Sequence, residues 1–348
     1  MKQVLSLTRK ELNSYFSSPM ALIFVGVFLA ATLFTFFWVD EFFARGIADL
    51  RPMFRWMPTL MIFLAAALTM RQWSEEQQSG TLEILFTMPM KLAQLVLGKF
   101  LAALILVMVA LLLTLFLPIS VWSFGNPDPG PIIGGYLATL LLAAAYIAIG
   151  LFVSSRTANQ IVALILTMVV CGLFQLVGSG EVTSLFSSSQ AEILRAFGSG
   201  SRFASIERGV IDLRDLVYYG SITVIFLFLN VYSLDRQRWG TGASTRTHRL
   251  NSHAMVSLVA ANLLIFNALI YPLHNFRLDL TEDRQYSLSE STRDLLRNLQ
   301  EPLLIQGYFS EKNHPLLAPL IPRIEDMLDE YRIAADGKLT VETIDPIK

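Results

Sequence analysis

Residues 71–99 read RQWSEEQQSGTLEILFTMPMKLAQLVLGK, a largely polar stretch between two long apolar segments. Of the 348 residues in the chain, 53% are hydrophobic and only 16% are charged, which lies outside the range of soluble proteins. The composition therefore predicts an all-α polytopic membrane protein, with residues 71–99 as a loop on one side of the membrane.

Seven apolar segments have lengths close to that of a membrane-spanning helix. They cover residues 20–39, 56–70, 100–121, 132–153, 161–177, 216–232 and 254–273. The second and the fifth are short, which predicts helices that depend on their neighbours or bend at the membrane surface. We expect seven spans.

The distribution of Lys and Arg predicts the orientation of these spans, because cytoplasmic loops are enriched in both residues. If the spans alternate in direction, eleven basic residues lie on the side of the N-terminus and seven lie in the loops opposite. The bias places the N-terminus in the cytoplasm and residues 274–348 outside the cell. The eleven are Lys2, Arg9, Lys10, Arg71, Lys91, Lys99, Arg156, Arg236, Arg238, Arg246 and Arg249, and the seven are Arg45, Arg51, Arg55, Arg195, Arg202, Arg208 and Arg214.

Residues 1–19 are predicted to form an amphipathic helix that lies flat on the membrane. A signal peptide fits poorly, because the apolar segment that follows is too long and no small-residue cleavage site ends it. On a helical wheel the apolar face holds Val4, Leu5, Thr8, Leu12, Tyr15 and Phe16, and the polar face holds Lys2, Arg9, Lys10 and Asn13.

The predicted spans contain almost no ionisable side chains, which argues against a carrier driven by protons or sodium ions. Their polar residues are predicted to make hydrogen bonds between helices rather than to bind cargo. Close helix packing is predicted at Gly134 and Ala138. The polar residues are Gln175, Asn230, Asn262 and Asn267.

Charge and cysteine content exclude two further classes. The net charge of −1 argues against nucleic acid as a partner, since phosphate binding needs a surplus of basic groups. The single cysteine, Cys171, lies within an apolar segment, so we expect no intramolecular disulfide and no thiolate metal cluster.

Two segments outside the spans have distinct compositions. Residues 178–215 are predicted to contain short helices at the outer surface of the membrane, with Asp212 or Asp215 near the start of a helix. The alternative, a disordered polar loop, fits only residues 184–189. Residues 240–253 are basic and rich in Gly, Ser and Thr, which predicts a flexible cytoplasmic linker.

After the last apolar segment, the composition of the chain is typical of a water-exposed domain. Ser287 and Glu290 suggest a capping box that opens a helix, followed by strand 303–309, a helix and strand 339–344. Because two strands make a poor sheet, residues 274–348 are predicted to be a partial β-α-β domain, incomplete as it stands. The side chains predicted to be buried are Leu295, Leu296, Leu299, Ile321, Ile324, Leu328 and Tyr331.

Within residues 71–99 the pattern predicts a short helix at 81–88. Thr81 can cap it, Glu83 lies in its first turn, where the helix dipole favours a carboxylate, and Pro89 ends it. The helix is apolar on most sides and faces the cytoplasm, so it needs a cover. It either docks into a groove of another protein or packs only against its own spans, and both interpretations stay open.

The spacing of these residues resembles a known family. Glu76-x-x-x-Gly80-Thr81-x-Glu83-x-Leu85, followed by Pro89 and Gly98-Lys99, is similar to the first cytoplasmic loop of type-2 ABC exporter permeases, most closely those associated with gliding motility and with copper-site maturation. Two further motifs, Arg9-Lys10-Glu11-Leu12 with Tyr15-Phe16-x-x-Pro19, and Arg208-Gly209-Val210-Ile211-Asp212, are similar to the elbow helix and the last outer loop of that family.

This resemblance covers residues 1–239 and implies a six-span permease domain at 20–239, with 71–99 as the loop that couples it to an ATPase. It implies a permease dimer in the bacterial inner membrane and a separate cytoplasmic ABC ATPase that binds ATP and Mg. The chain has no GxxxxGK[ST] motif, so we expect it to be neither an enzyme nor a cofactor-binding protein. The implied coupling residues are Glu76, Gly80, Thr81, Glu83, Leu85 and Pro89.

A second resemblance covers residues 254–348. Asp279-Leu280-Thr281-Glu282, Tyr286-Ser287-Leu288-Ser289 and Ile344-Asp345-Pro346 resemble the auxiliary extracytoplasmic subunit that accompanies the gliding-type permeases. It implies that the two proteins are fused here, with 254–273 as a seventh span.

The leading hypothesis is therefore the membrane subunit of an ATP-driven exporter or of a gliding-type machine. The alternative is a non-transporting membrane anchor or scaffold whose outer domain binds other envelope proteins. A membrane-embedded hydrolase would need Ser with His, or paired Asp, within the spans, and they hold neither His nor Asp. The substrate and the oligomeric state stay open.

Overall fold

The computed structural model of the chain describes residues 2–46, 48–87, 89–183, 185, 188–238, 246–270, 277–282, 286–308, 320–335 and 338–344. Several predicted features reach beyond these ranges. They are residue 88 of the loop helix, 184, 186 and 187 of the outer loop, 240–245 of the linker, 271–273 of the last span, residue 309 of the first strand, and Asp345 and Pro346.

The described chain is mostly helical, with four short strands. The first half contains α1 (Lys2–Ser17), α2 (Met20–Phe34, continued by a π-helical turn at Thr35–Val39), α3 (Phe42–Arg45), α4 (Arg51–Arg55), α5 (Met57–Thr69), α6 (Ser74–Gln78), α7 (Thr81–Thr87), α8 (Leu92–Leu113), α9 (Phe116–Trp122), α10 (Pro129–Ser154) and α11 (Gln160–Val177). The second half contains α12 (Gly180–Thr183), α13 (Ser188–Phe197), α14 (Ser199–Glu207), β1 (Val210–Asp212), α15 (Leu213–Gln237), α16 (Arg246–Ile270), β2 (Arg277–Asp279), α17 (Glu290–Arg297), β3 (Leu303–Tyr308), α18 (Leu320–Ala334) and β4 (Leu339–Ile344).

Six helices of the described chain are long and apolar enough to cross a membrane, so the prediction of seven spans is not confirmed. The segment predicted as the second span is the 13-residue helix α5, which reaches about 20 Å, less than the roughly 30 Å of a bilayer core. The six candidate spans are Met20–Ala44, Leu92–Trp122, Pro129–Ser154, Gln160–Val177, Leu213–Gln237 and Arg249–Ile270.

The two ends of the helix bundle carry different loops. We call the end that holds α1, α6 and α7 the proximal end, and the opposite end, which holds α4, α14 and strands β1 and β2, the distal end. Helix α5 runs between them: Trp56, just before it, donates a hydrogen bond from Nε1 to Asp40 Oδ2 (2.7 Å), and Ser74, just after it, lies against Ser154. Helix α5 is therefore short, but the residues that flank it are held by hydrogen bonds at both ends.

Helix α10 is the centre of the bundle. As predicted, small residues on α10 allow the neighbouring elements to approach closely. Ala138 is fully buried, and a Cβ atom added at Gly134 would lie 2.2 Å from the carbonyl oxygen of Ile206. Among the candidate spans α10 is the most buried, whereas α11 and α16 turn most of their apolar side chains outward. Such outward apolar surfaces suit a lipid environment.

The polar residues of the spans behave in three ways. Gln175 Oε1 accepts a hydrogen bond from the Tyr146 hydroxyl, and Asn267 donates to Ser221 Oγ (2.7 Å), so both bond to neighbouring helices as predicted. The prediction is wrong for Asn262, whose amide donates to the carbonyl of Leu258 in its own helix. Asn230 is fully buried, and the described residues offer its amide no hydrogen-bond partner.

The loop at residues 178–215 contains helices α12 to α14, as predicted, and a strand, β1, that was not predicted. Asp212 caps α15 by accepting a hydrogen bond from the Arg214 backbone N–H (2.9 Å). β1 pairs antiparallel with β2, so that Ile211 lies opposite Leu278. The loop before α15 and the start of the C-terminal domain therefore share one two-stranded sheet.

The C-terminal domain has the predicted helix and two parallel strands, β3 and β4, paired from Leu303–Leu339 to Tyr308–Ile344. The predicted capping box is wrong: Ser289, not Ser287, caps α17 by accepting from the Thr292 N–H. Ser287 is used elsewhere, since its hydroxyl donates to Asp279.

Part of the predicted core of this domain is exposed. Leu295 is 73% exposed and Ile324 is 39% exposed, whereas Leu296, Leu299 and Leu328 are half-buried. Two strands and two helices do not supply enough apolar surface to cover all of these residues.

Candidate functional site

The proximal loop is a helical hairpin made of α6 and α7. Gly80 joins them with φ of +72°, a left-handed conformation that favours glycine. Thr81 is the first residue of α7 rather than its cap, since its hydroxyl bonds back to Ser79 Oγ (2.9 Å) and to the carbonyl oxygen of Glu76 (3.5 Å). The hydroxyl of Thr81 therefore ties the two short helices together, and the predicted capping role is wrong.

A buried lysine connects the loop to two other helices. Lys99 lies in the second turn of α8, and its side chain is only 5% exposed. Its Nζ is 2.9 Å from Glu76 Oε1 in α6 and 3.5 Å from Glu11 Oε1 in α1. We call Lys99, Glu76 and Glu11 the charge cluster; it joins three segments that are distant in sequence.

An aromatic ring completes the surroundings of the charge cluster. Lys99 Nζ lies 5.0 Å from the ring centre of Trp73, which is fully buried, so a cation–π contact adds to the ion pairs. Burial raises the pKa of Glu76 above its usual range, and the neighbouring Lys99 opposes the rise. Lys99 therefore favours the charged form of this carboxylate, which burial disfavours.

Helix α1 packs against the start of α8. A Cβ atom at Gly98 would lie 2.5 Å from the side chain of Leu7, and the Thr8 hydroxyl donates to the Gly98 carbonyl (3.3 Å). Of the predicted membrane-facing side chains, Thr8 and Tyr15 are buried, whereas Leu5 and Phe16 are exposed at 61% and 55%. These two residues lie where an interfacial helix would meet lipid.

Ser154, at the end of α10, anchors the start of the loop. Its Oγ accepts from the backbone N–H groups of Trp73 (3.1 Å) and Ser74 (3.2 Å) and donates to the Met70 carbonyl (3.1 Å). All of these groups lie where α5 ends and α6 begins. One side chain therefore satisfies the backbone at the turn between the two helices.

Ser154→Ala is expected to destabilise the protein by about 1–3 kcal/mol, because it leaves two buried backbone N–H groups without their acceptor. Thermal unfolding of the purified protein in detergent measures the loss. Ser120→Ala is the matched control, since the hydroxyl of Ser120 is exposed and bonds only to its own helix. Equal melting temperatures for the two variants would contradict the anchoring role.

Helix α7 is covered on one side and open on the other. Leu82 is buried, Leu85 and Phe86 are half-buried, and Arg238 lies 5.6 Å from the ring centre of Phe86. The open side carries Thr81, Glu83, Ile84 and Thr87, and the side chain of Ile84 is 61% exposed. The chain itself therefore supplies part of the cover that this apolar helix needs, and leaves a face that combines a carboxylate with an apolar side chain.

The structure brings together some of the predicted coupling residues and adds others. Gly80 and Thr81 lie at the hairpin turn, and the carbonyl of Glu76 in α6 bonds to the Thr81 hydroxyl. Glu83 is exposed on α7, Leu85 is half-buried, and Pro89 is exposed beyond the end of the helix. Sequence reasoning missed the partners of Glu76 and the serine anchor. Lys99 offered a signal, because a lysine followed by a long apolar run needs a buried partner.

Comparison with protein-family models gives two matches. Residues 52–199 match the ABC-2 family transporter proteins, and residues 282–348 match a domain of unknown function, DUF7088. No curated protein matches the chain.

The first match contains α5 to α13 and all of α4 but its first residue, and with them the hairpin, Lys99 and Ser154. ABC-2 permeases are membrane transport subunits that normally work with a cytoplasmic ATPase. The chain is therefore a multi-pass membrane protein that carries, at residues 52–199, the permease domain of an ABC-2 family transporter.

Proposed function

We propose that the chain is the membrane subunit of an ATP-driven exporter or gliding-type machine, and that the exposed face of α7 docks on a separate cytoplasmic ABC ATPase. One observation carries the proposal: α7 presents Glu83 and Ile84 outward, while the charge cluster holds the adjoining helix α6 to α1 and α8. Force applied to α7 would pass into the bundle through fixed contacts rather than through a loose loop.

Several finer features belong to the same proposal. The proximal end lies in the cytoplasm, supported by the excess of Lys and Arg predicted on that side. Helix α5 serves as a short second span, supported by its contacts with Asp40 at one end and with Ser154 at the other. Two copies of the chain form the translocation path, supported by the outward apolar face of α11.

We also propose that the C-terminal part is an auxiliary extracytoplasmic module of the gliding type. Residues 282–348 match a family model separate from that of the permease domain, which supports a module of independent origin. Strand β2 of this part lies at the distal end, so the module and α7 lie on opposite sides of the bundle.

Glu83→Lys tests the docking proposal. Reversing an exposed charge within a protein interface places like charges together, so we expect binding of the ATPase to weaken by about tenfold or more. The measurement is the amount of ABC ATPase that co-purifies with the chain after crosslinking in cells, identified by mass spectrometry.

Glu301→Lys is the matched control, because Glu301 is also exposed but lies in the C-terminal domain. If the Glu83 variant still retains the ATPase and its activity, α7 is not the docking helix. If no ATPase accompanies even the unaltered chain, the alternative of a membrane anchor gains support.

A further inference from the structure

The C-terminal domain makes a second attachment to the permease domain besides its helix α16. Residues 277–282, together with Tyr286 and Ser287, lie against the distal ends of α4, α10 and α15; we call them the docking segment. We propose that the docking segment fixes the C-terminal domain to these helices, so that the domain moves with α10 and α15 as one body. This proposal does not depend on which ATPase, if any, drives the movement.

The first contact is a strand pair. β2 adds to the edge of β1, and the pairing is extended by a hydrogen bond from the Leu280 N–H to the Gly209 carbonyl (2.9 Å). Strand addition supplies affinity through backbone hydrogen bonds, a mode by which extended segments bind sheet edges. Because β1 continues directly into α15, the paired strand is attached to that helix.

The docking segment is held in shape by one carboxylate. Asp279 Oδ1 accepts from the N–H (3.0 Å) and the hydroxyl (2.6 Å) of Thr281. Its Oδ2 accepts from the Tyr286 N–H (3.0 Å) and the Ser287 hydroxyl (3.1 Å). Four donors on one charged group make a preorganised turn, which reduces the entropy that docking costs.

The turn then contacts the permease domain on the side of α10. Asp128 caps α10. Its Oδ1 accepts hydrogen bonds from two backbone N–H groups, that of Gly130 in its own helix (2.8 Å) and that of Glu282 in the docking segment (3.3 Å). A Cβ atom at Gly130 would lie 2.7 Å from the backbone nitrogen of Thr281. The docking segment thus lies directly on the N-terminus of the central helix.

Two arginines of the distal end add contacts from other elements. Arg51, the first residue of α4, donates from Nη2 to the Tyr286 hydroxyl (2.9 Å). Arg208, just before β1, lies 3.9 Å from Glu330 of α18, which is 1% exposed and also pairs with Arg277 of β2. The buried carboxylate of Glu330 therefore joins α18 of the C-terminal domain to strand β2 and to the end of α14.

Helix α15 connects the docking segment at the distal end to the proximal end of the bundle. It runs from Leu213 at the distal end to Gln237 at the proximal end, where Gln237 Nε2 donates to the Ser155 carbonyl (2.9 Å). Ser155 follows Ser154, the anchor of the proximal loop. A tilt of α15 that begins at the loop would therefore carry β1, and with it β2 and the C-terminal domain.

A disulfide test in the full chain examines the strand pair. Ile211→Cys with Leu278→Cys places two thiols at paired positions, and a protease site introduced at residues 240–245 separates the two halves after oxidation. We expect the halves to stay joined on a non-reducing gel and to separate after reduction. Halves that separate without reduction would overturn the proposal. The control pair, Ile211→Cys with Leu304→Cys, should not join, because Leu304 lies on β3.

A second measurement examines whether the domain moves with the helices. Spin labels at Asn126→Cys and Glu301→Cys, both exposed, report the distance from the distal end of the bundle to the C-terminal domain; the native Cys171 is buried and should not be labelled. We expect a narrow distance distribution that broadens in Asp279→Ala. Disulfide formation at positions 211 and 278 should also slow by about tenfold, since Asp279 accepts charge-assisted bonds.

Glu282→Ala is the matched variant, because Glu282 docks through its backbone N–H and its side chain is exposed. It should keep both the narrow distribution and the rate of disulfide formation. A distribution that is equally broad in the unaltered chain and in Asp279→Ala would show that the domain is tethered only by α16, and would refute the proposal.

Discussion

Lys99→Met is expected to lower the free energy of unfolding by about 3–5 kcal/mol, because removing one partner of a buried ion pair leaves the other charge uncompensated. Glu76 and Glu11 would both face the site without the lysine, and the ring of Trp73 would lose its cation. Methionine keeps most of the side-chain length, so the effect reports charge more than volume.

Thermal unfolding in detergent measures this effect, and Lys91→Met is the matched control, since Lys91 is exposed in the same loop. Glu76→Gln combined with Lys99→Met should recover part of the loss, because it removes one of the two unpaired carboxylates. Additive effects of the two substitutions would indicate that the residues do not interact. Equal melting of the Lys99 and Lys91 variants would show that the charge cluster does not hold the loop.

Gly134→Ala is expected to destabilise the centre of the bundle by about 1–3 kcal/mol through overpacking. The added methyl group would lie 2.2 Å from the carbonyl oxygen of Ile206, and a backbone atom cannot rotate away as a side chain can. Helix α14 would have to shift away from α10, and β1 with it, so trypsin should cleave sooner at Arg202 and Arg208.

Gly172→Ala is the control for Gly134→Ala, since a Cβ atom there would meet nothing within 4 Å. In a helix interior alanine is favoured over glycine, so this variant should be neutral or slightly more stable. Melting temperature and the rate of tryptic cleavage compare the two. Equal behaviour would mean that α14 does not pack tightly on α10 in the membrane.

The sequence by itself determined the class of the protein and the places where apolar segments give way to polar ones. Apolar segments near the thickness of a bilayer identify spans because each span needs a continuous run of such residues, a property of local composition. The same reasoning located the loop at 71–99, the close approach at Gly134 and the helical loop at 178–215. It predicted residues 56–70 as a span, which is not confirmed, since the helix formed there, α5, has only 13 residues.

Only the tertiary structure decided which polar groups meet. Lys99 and Glu76 are 23 residues apart, and Ser74 and Ser154 are 80 apart, so no local pattern links them. The strands β1 and β2 have three residues each, too few for an alternating pattern, and each needs the other to satisfy its backbone. Burial explains these pairings: a charge or a backbone group removed from water requires a partner, and the packed helices determine which one lies within reach.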